Sequence, residues 1–205
     1  MTDPQKGPNP WVLAEAEYQS LLARLRHDMF KPPTVRAVDL YGLYRKHAAH
    51  WLPAPSYGTP GSAGMDLRWC GKEIVKKAGE DTVVDHGPSG ILLPPGDRRF
   101  LCTGLKMQAV EEDVHTLLVP RSSLGARGIV LSNLVGVIDN DYQGEWIMVI
   151  WNASSNPVTI KGGERLCQAL FIHRGGIIRP DVVLVEDLGE ETTRGQGGFN
   201  STGTN

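Results

Sequence analysis

Residues 114–152 read VHTLLVPRSSLGARGIVLSNLVGVIDNDYQGEWIMVIWN. Apolar and β-branched runs at 114–119, 128–131, 134–138 and 146–151 are cut by turn residues, among them Gly125 and Gly144. Runs this short and this closely spaced predict strands and turns. The same texture extends outward, with runs at 91–93 and 100–110 before the stretch and at 157–160, 166–172 and 182–186 after it. Pro94-Pro95-Gly96, Asn152–Pro157, Gly162-Gly163 and Gly175-Gly176 punctuate them. Many short strands with Gly/Pro-rich turns predict an all-β sandwich or barrel.

Composition agrees. The 205 residues include 24 Gly and 14 Pro, an excess over the roughly 7% and 5% of average usage. The chain is long enough for one domain with an appendage. A net charge of −2 argues against non-specific binding to nucleic acid or to an anionic membrane, since both need a basic excess. No apolar run approaches the ~18 residues of a membrane span. The start, MTDPQKGPNP, lacks the basic and apolar regions of a secretory signal. Cys70, Cys102 and Cys167 are scattered and odd in number, so they read as isolated core thiols of a reducing compartment. The expected location is the cytoplasm, or the host cytoplasm for a phage or viral protein.

Three regions lie outside the strand pattern. Asn9-Pro10 supplies a helix start, and Trp11, Ala14, Tyr18, Leu21, Leu25 and Met29 form an apolar stripe that Lys31-Pro32-Pro33 ends. An amphipathic helix is therefore expected over 11–30. The charged stretch 71–90 reads as an exposed loop, within which Lys72–Lys77 suits a strand or a helical turn. Residues 192–205, with four Gly and one large apolar residue, Phe199, have the composition of a mobile tail. The expected organisation is an N-terminal extension at 1–34, a β-domain at 35–191 and a tail at 192–205.

Five segments carry candidate chemistry: Ser62–Leu67, Pro120–Gly125, Asn133–Gly144, Gly163–Gln168 and Arg194–Gly203. Singly, each is more often a turn or a loose tail than a site. Their order across one small β-domain resembles the five motifs of the trimeric dUTPases, from about Val35 to Gly203. The stretch from Val119 to Gln168 and the tail RGQGGFNSTG carry the most specific part of the likeness. The resemblance implies a distorted jelly-roll barrel subunit, a homotrimer with shared active sites, and Mg²⁺-dependent hydrolysis of dUTP to dUMP and diphosphate.

Roles follow by matching motif positions. Hydrolysis at phosphorus needs a base for the attacking water, and the family's base falls on Asp139. Asp141 reads as a bend former, although its assignment as the base stays open. Asn133 offers an amide to uracil, Gly136 admits close backbone approach, and Val137, Ile138 and Ile147 present backbone to the base edge. Tyr142 corresponds to the ring that packs on deoxyribose and would exclude a 2′-hydroxyl. Arg121, Ser122, Ser123 and Gln168 correspond to phosphate contacts. Asp66 is either a local structural carboxylate or a partner of a metal-bound water. In the tail, Arg194 resembles an arginine finger, Gly197 and Gly198 present backbone N–H groups to phosphate, Phe199 stacks on uracil, and Ser201 and Thr202 donate to the terminal phosphate.

Departures from the family pattern are local. Ser123 stands where glycine is usual, Asn200 follows Phe199 where glycine is usual, the first 34 residues are additional, and 71–90 is longer by about one hairpin. The helix 11–30 and the loop 71–90 are the candidate surfaces for a protein partner. The rival enzyme of the same fold is dCTP deaminase, which needs a glutamate in the strand after the third motif. Trp146–Trp151 has no carboxylate, and Glu145 precedes it in the turn. The rival of another class is a nucleotide-sensing regulatory protein.

Overall fold

A computed structural model of the chain describes residues 17, 19–20, 34–44, 52–173, 176–178, 180–192 and 195–196. Of the helix expected over 11–30, only Glu17, Gln19 and Ser20 are described; they are helical and exposed. Residues from Pro33 onward form one compact unit, separate from Met1–Pro32.

The larger unit is built from strands. In chain order these are β1 (Thr34–Asp39), β2 (Ser56–Tyr57), β3 (Met65–Arg68), β4 (Lys72–Lys77), β5 (Glu80–Asp85), β6 (Ile91–Leu93), β7 (Arg98–Cys102) and β8 (Leu105–Ala109). They continue with β9 (Val114–Pro120), β10 (Ile129–Leu131), β11 (Gly136–Ile138), β12 (Ile147–Asn152), β13 (Val158–Ile160), β14 (Arg165–His173), β15 (Gly176–Ile178) and β16 (Asp181–Leu184). A single turn of helix, α1 (Ser122–Gly125), follows β9.

Two sheets matter for the site. One runs β10-β12-β7-β4-β5; the other runs β11-β9-β14-β3-β2, with β15 beside β14. Between them lie the buried side chains of Trp69, Trp146, Phe171, Leu67, Leu118 and Ile129. Burying side chains of this size stabilises by about 1.5–3 kcal/mol each. Strand alternation therefore sets register, because a slip of one residue would turn each apolar side chain outward. In β14 the buried residues Cys167, Ala169 and Phe171 alternate with the less buried Gln168, Leu170 and Ile172. Gln168 is thereby directed away from the core, beside Asp66 on β3 and Val119 on β9.

Two sequence readings need correction. The loop expected over 71–90 contains a regular hairpin, β4–β5, and Glu73 and Ile74 of β4 pair with Leu101 and Phe100. Its β5 side is exposed, so composition resembled a loop although the backbone is paired. The single run at 100–110 is two strands, broken at Thr103-Gly104, where Gly104 takes φ +78°. Among the described residues, no helix is long and apolar enough to cross a membrane.

Candidate active site

The strand pairing Gly136↔Leu118, Val137↔Leu117 and Ile138↔Thr116 holds β11 against β9. On the other sheet, Leu131 pairs with Ile150 and Ile147 with Cys102. Between these strands opens a cleft of about 180 Å³, lined by Leu118, Leu131, Asn133, Gly136, Val137, Ile138, Asp139, Tyr142, Glu145 and Ile147. Its lining combines apolar side chains with the Asn133 amide, the Asp139 and Glu145 carboxylates and the Tyr142 phenol. That combination suits a flat polar heterocycle with a charged substituent.

Local contacts shape the rim. The turn before β11 is closed by Leu134 N–H donating to Leu131 O at 2.9 Å, with Leu134 in the left-handed region at φ 61°. A Cβ on Gly136 would lie 3.2 Å from Leu118 Cβ and 3.4 Å from Asn133 Nδ2, so glycine leaves room for the Asn133 side chain. Asp139 sits where this cleft meets a wider groove containing His115, Asn140 and Asp141. Asn140 Nδ2 pins the loop by donating to Glu111 O at 2.8 Å and Val114 O at 3.1 Å. The Tyr142 hydroxyl donates to Glu145 O at 2.9 Å. A Cβ on Gly144 would stand 2.3 Å from that hydroxyl oxygen; only glycine lets the ring lie there.

Glu145 is the carboxylate at the back of the cleft. Its Oε1 accepts from Gly104 N–H at 2.7 Å and its Oε2 from the Tyr41 hydroxyl at 3.0 Å. Burial pushes the Glu145 carboxyl above its ordinary range, against the Gly104 and Tyr41 hydrogen bonds, which hold it down. The Cys102 thiol is raised in turn, first by burial and then by the Glu145 charge. Cys70 and Cys167 are pushed up to about 12, chiefly by burial. All three cysteines are buried free thiols, inert as nucleophiles in this state.

A second cluster follows β9. Arg121 caps α1, its carbonyl accepting from Leu124 N–H at 2.9 Å and Gly125 N–H at 3.1 Å. Its Nε reaches Asp66 Oδ1 at 2.8 Å, while Arg165 Nη1 donates to Asp66 Oδ2 at 2.8 Å. Asp66 is 8% exposed, so each oxygen of this buried carboxylate has a cationic partner, as burial of a charge requires. Ser122 and Ser123 are exposed in the first turn of α1. None of these residues, nor Gln168, lines the cleft.

The dUTPase family model matches residues 87–203. The deoxyuridine 5'-triphosphate nucleotidohydrolase of Escherichia coli (strain K12 / DH10B) is 39% identical over 153 residues, covering 74% of this chain and 88% of that protein. This chain belongs to the dUTPase family. The protein of the same name from Shigella boydii serotype 18 matches to the same extent. A mutant dUTPase of Staphylococcus bacteriophage 80alpha, solved with dUpNHpp, shares the fold at a TM-score of 0.50 and 18% identity, covering 83% of this chain and 98% of that one. The jelly-roll subunit expected from the sequence is the fold of this dUTPase-family chain.

Of the site residues read from sequence, Asn133, Gly136, Val137, Ile138, Asp139, Tyr142 and Ile147 meet in the cleft. Arg121, Ser122, Ser123, Gln168 and Asp66 belong to the region around the end of β9. Arg194, Gly197, Gly198, Phe199, Ser201 and Thr202 lie outside the described residues. Sequence reasoning missed Leu118, Leu131 and Glu145 as cleft walls, and Arg165 as the second partner of Asp66. The sequence reading placed Glu145 only in the turn before the strand 146–151, outside the motif that ends at Gly144. Only the packing of Tyr41 and Gly104 against it shows that it is partly buried.

Proposed function

We propose that this dUTPase-family chain hydrolyses dUTP to dUMP and diphosphate, as the names of its curated relatives say of those proteins. The cleft is the observation that carries the reading. It joins a strand edge at Gly136–Ile138, the Asn133 amide, the Tyr142 ring and the Asp139 carboxylate. The backbone edge and the amide read the Watson–Crick face of uracil, and a methyl at C5 meets the closely approaching strand. Tyr142, held by its hydroxyl, packs on the deoxyribose and leaves no room for a 2′-hydroxyl. Asp139 takes the proton of the water that attacks the α-phosphate.

Arg121, with Ser122, Ser123 and Gln168, takes the phosphates. Since that group lines no part of the cleft on its own chain, the reading includes a homotrimer in which neighbouring subunits complete each other's sites. Arg194, Gly197, Gly198, Phe199, Ser201 and Thr202 close the site from the tail.

Among the described residues, no three His, Cys, Asp or Glu side chains converge on a metal position, and both Asp66 oxygens hold guanidinium groups. The chain's own donors do not form a cage. Mg²⁺ keeps several waters and commonly rides on substrate phosphates, and as such a companion it neutralises phosphate charge. The two ion pairs favour the structural role of Asp66 over the metal-water role.

A product assay with Mg²⁺ and dUTP, dCTP, dTTP or UTP, beside Asp139→Asn, tests the proposal. Diphosphate is expected from dUTP alone, with turnover falling by about 10²–10⁴ in the Asn variant. Ammonia from dCTP would transfer the chain to the deaminases. Binding of dUTP without turnover would make it a nucleotide sensor.

A further inference from the structure

The third motif contains a residue to which uracil, sugar and phosphate chemistry give no task, Gln143. It follows Asp139 by four positions and is 8% exposed. Its Nε2 donates to Glu190 O at 2.8 Å, its Oε1 accepts from Thr192 N–H at 3.1 Å, and its own N–H donates to Gly195 O at 2.6 Å. Beside it, Tyr142 and Gly195 form a parallel β-bridge. Thr192 Oγ1 donates to Asp141 O and accepts from Gly195 N–H at 3.0 Å. Residues 141–143 are thus stitched to 190–195 by backbone and amide contacts.

A buried amide must satisfy both ends. The partners of this one, Glu190 O and Thr192 N–H, are backbone groups two residues apart in the segment that leads to the tail motif. A side chain of Gln length, with one donor and one acceptor, spans that pair; Glu has no donor when ionised, and Asn is shorter by one methylene. Because the same loop carries Asp139 and Tyr142, the contacts connect the base and sugar subsites to the point where the tail motif begins.

We propose that Gln143 is a positioning residue that clamps the root of the C-terminal segment to the catalytic loop, setting where Arg194 and the residues after it start relative to Asp139. The proposal rests on the reading that the tail motif serves dUTP turnover, but the clamp has a readout of its own. Trypsin cuts after arginine, so native cleavage at Arg194 in the full-length protein, followed by mass spectrometry, reports release of the root.

Loss of both side-chain hydrogen bonds predicts about tenfold faster cleavage at Arg194 in Gln143→Ala. Gln143→Glu keeps the acceptor for Thr192 N–H but sets a carboxylate against the Glu190 carbonyl, so faster cleavage is expected there too. Thr192→Val, which removes the hydroxyl contacts from the tail side, is expected to change cleavage in the same direction, and it carries the test should either Gln143 variant fail to fold. Cleavage at the wild-type rate in the folded variants would overturn the clamp. In kinetics, Gln143→Ala should lower kcat/KM for dUTP about tenfold while leaving inhibition by deoxyuridine, which fills only the cleft, unchanged. Equal weakening of deoxyuridine binding would overturn the proposal, since Gln143 would then be shaping the cleft. If the wild-type protein does not hydrolyse dUTP, the functional reading fails, and the cleavage experiment still decides the clamp.

Discussion

The cleft and the Asp66 cluster share a strand, β9, yet they are held in different ways. Leu118 forms part of the cleft wall from within the strand, and the cleft's shape follows from pairing and close backbone approach. Arg121 stands just past the strand's end, and its position follows from charge: Asp66 holds it on one oxygen and Arg165 on the other. The cleft is formed within a single chain. The cluster holds its cations in an ion-pair triad, where a highly charged ligand competes with or reorganises existing bonds. On the proposed function, recognition of the base by shape is preformed and recognition of the phosphates by charge is a matter of exchange.

The largest test breaks the shape side. Gly144→Ala places a methyl where the Tyr142 hydroxyl lies and moves the ring by roughly 1 Å. A misplacement of that size costs about 10²-fold in kcat/KM, and selection against UTP should fall with it. Steady-state kinetics on dUTP and UTP decide; unchanged values would mean the cleft is not preformed.

A middle-sized effect is expected on the charge side. Asp66→Asn leaves one carbonyl acceptor for two guanidinium groups. Hydrogen bonds to charged groups contribute about 1.5–3 kcal/mol each, so the denaturant midpoint should fall by a fraction of that, given the partly exposed arginines. KM for dUTP should change more than kcat. An unaltered midpoint would show that the carboxylate does not hold the cluster.

The smallest effect sharpens the boundary between the two regions. Burial raises the folded-state pKa of Glu145 above the ordinary 4.5. Between those two values the folded chain binds more protons than the unfolded one, so stability falls as pH rises through that window. Glu145→Gln keeps an acceptor for Gly104 N–H and a donor for the Tyr41 oxygen without the charge. Its melting temperature relative to wild type should therefore rise as pH increases above 4.5, and a difference independent of pH would remove burial as the cause.

Much of the cleft was legible before any coordinates. Asn133, Gly136, Asp139 and Tyr142 lie within ten residues of one another, so closeness along the chain keeps them near one another even though β11 pairs with β9 and not with β10 or β12. The short strands at 91–93, 114–120 and 147–152 were visible as apolar runs for the same reason. The hairpin at 72–85 was hidden because an exposed strand paired along one edge keeps the polar composition of a loop. The break at Gly104 was hidden inside one continuous run, since the carboxylate that accepts its N–H, Glu145, lies 41 residues away.

The sequence by itself determined the all-β class, the order of the motifs and the chemistry available at each, because strand alternation, turn residues and side-chain functional groups are local properties. Only the tertiary structure decided that Asp66 faces Arg165 across 99 residues of chain, that Glu145 is partly buried against Tyr41, and that the Gln143 amide bonds Glu190 and Thr192. These depend on which strands lie side by side. That choice is made by the burial of the whole core, which no short window of sequence contains.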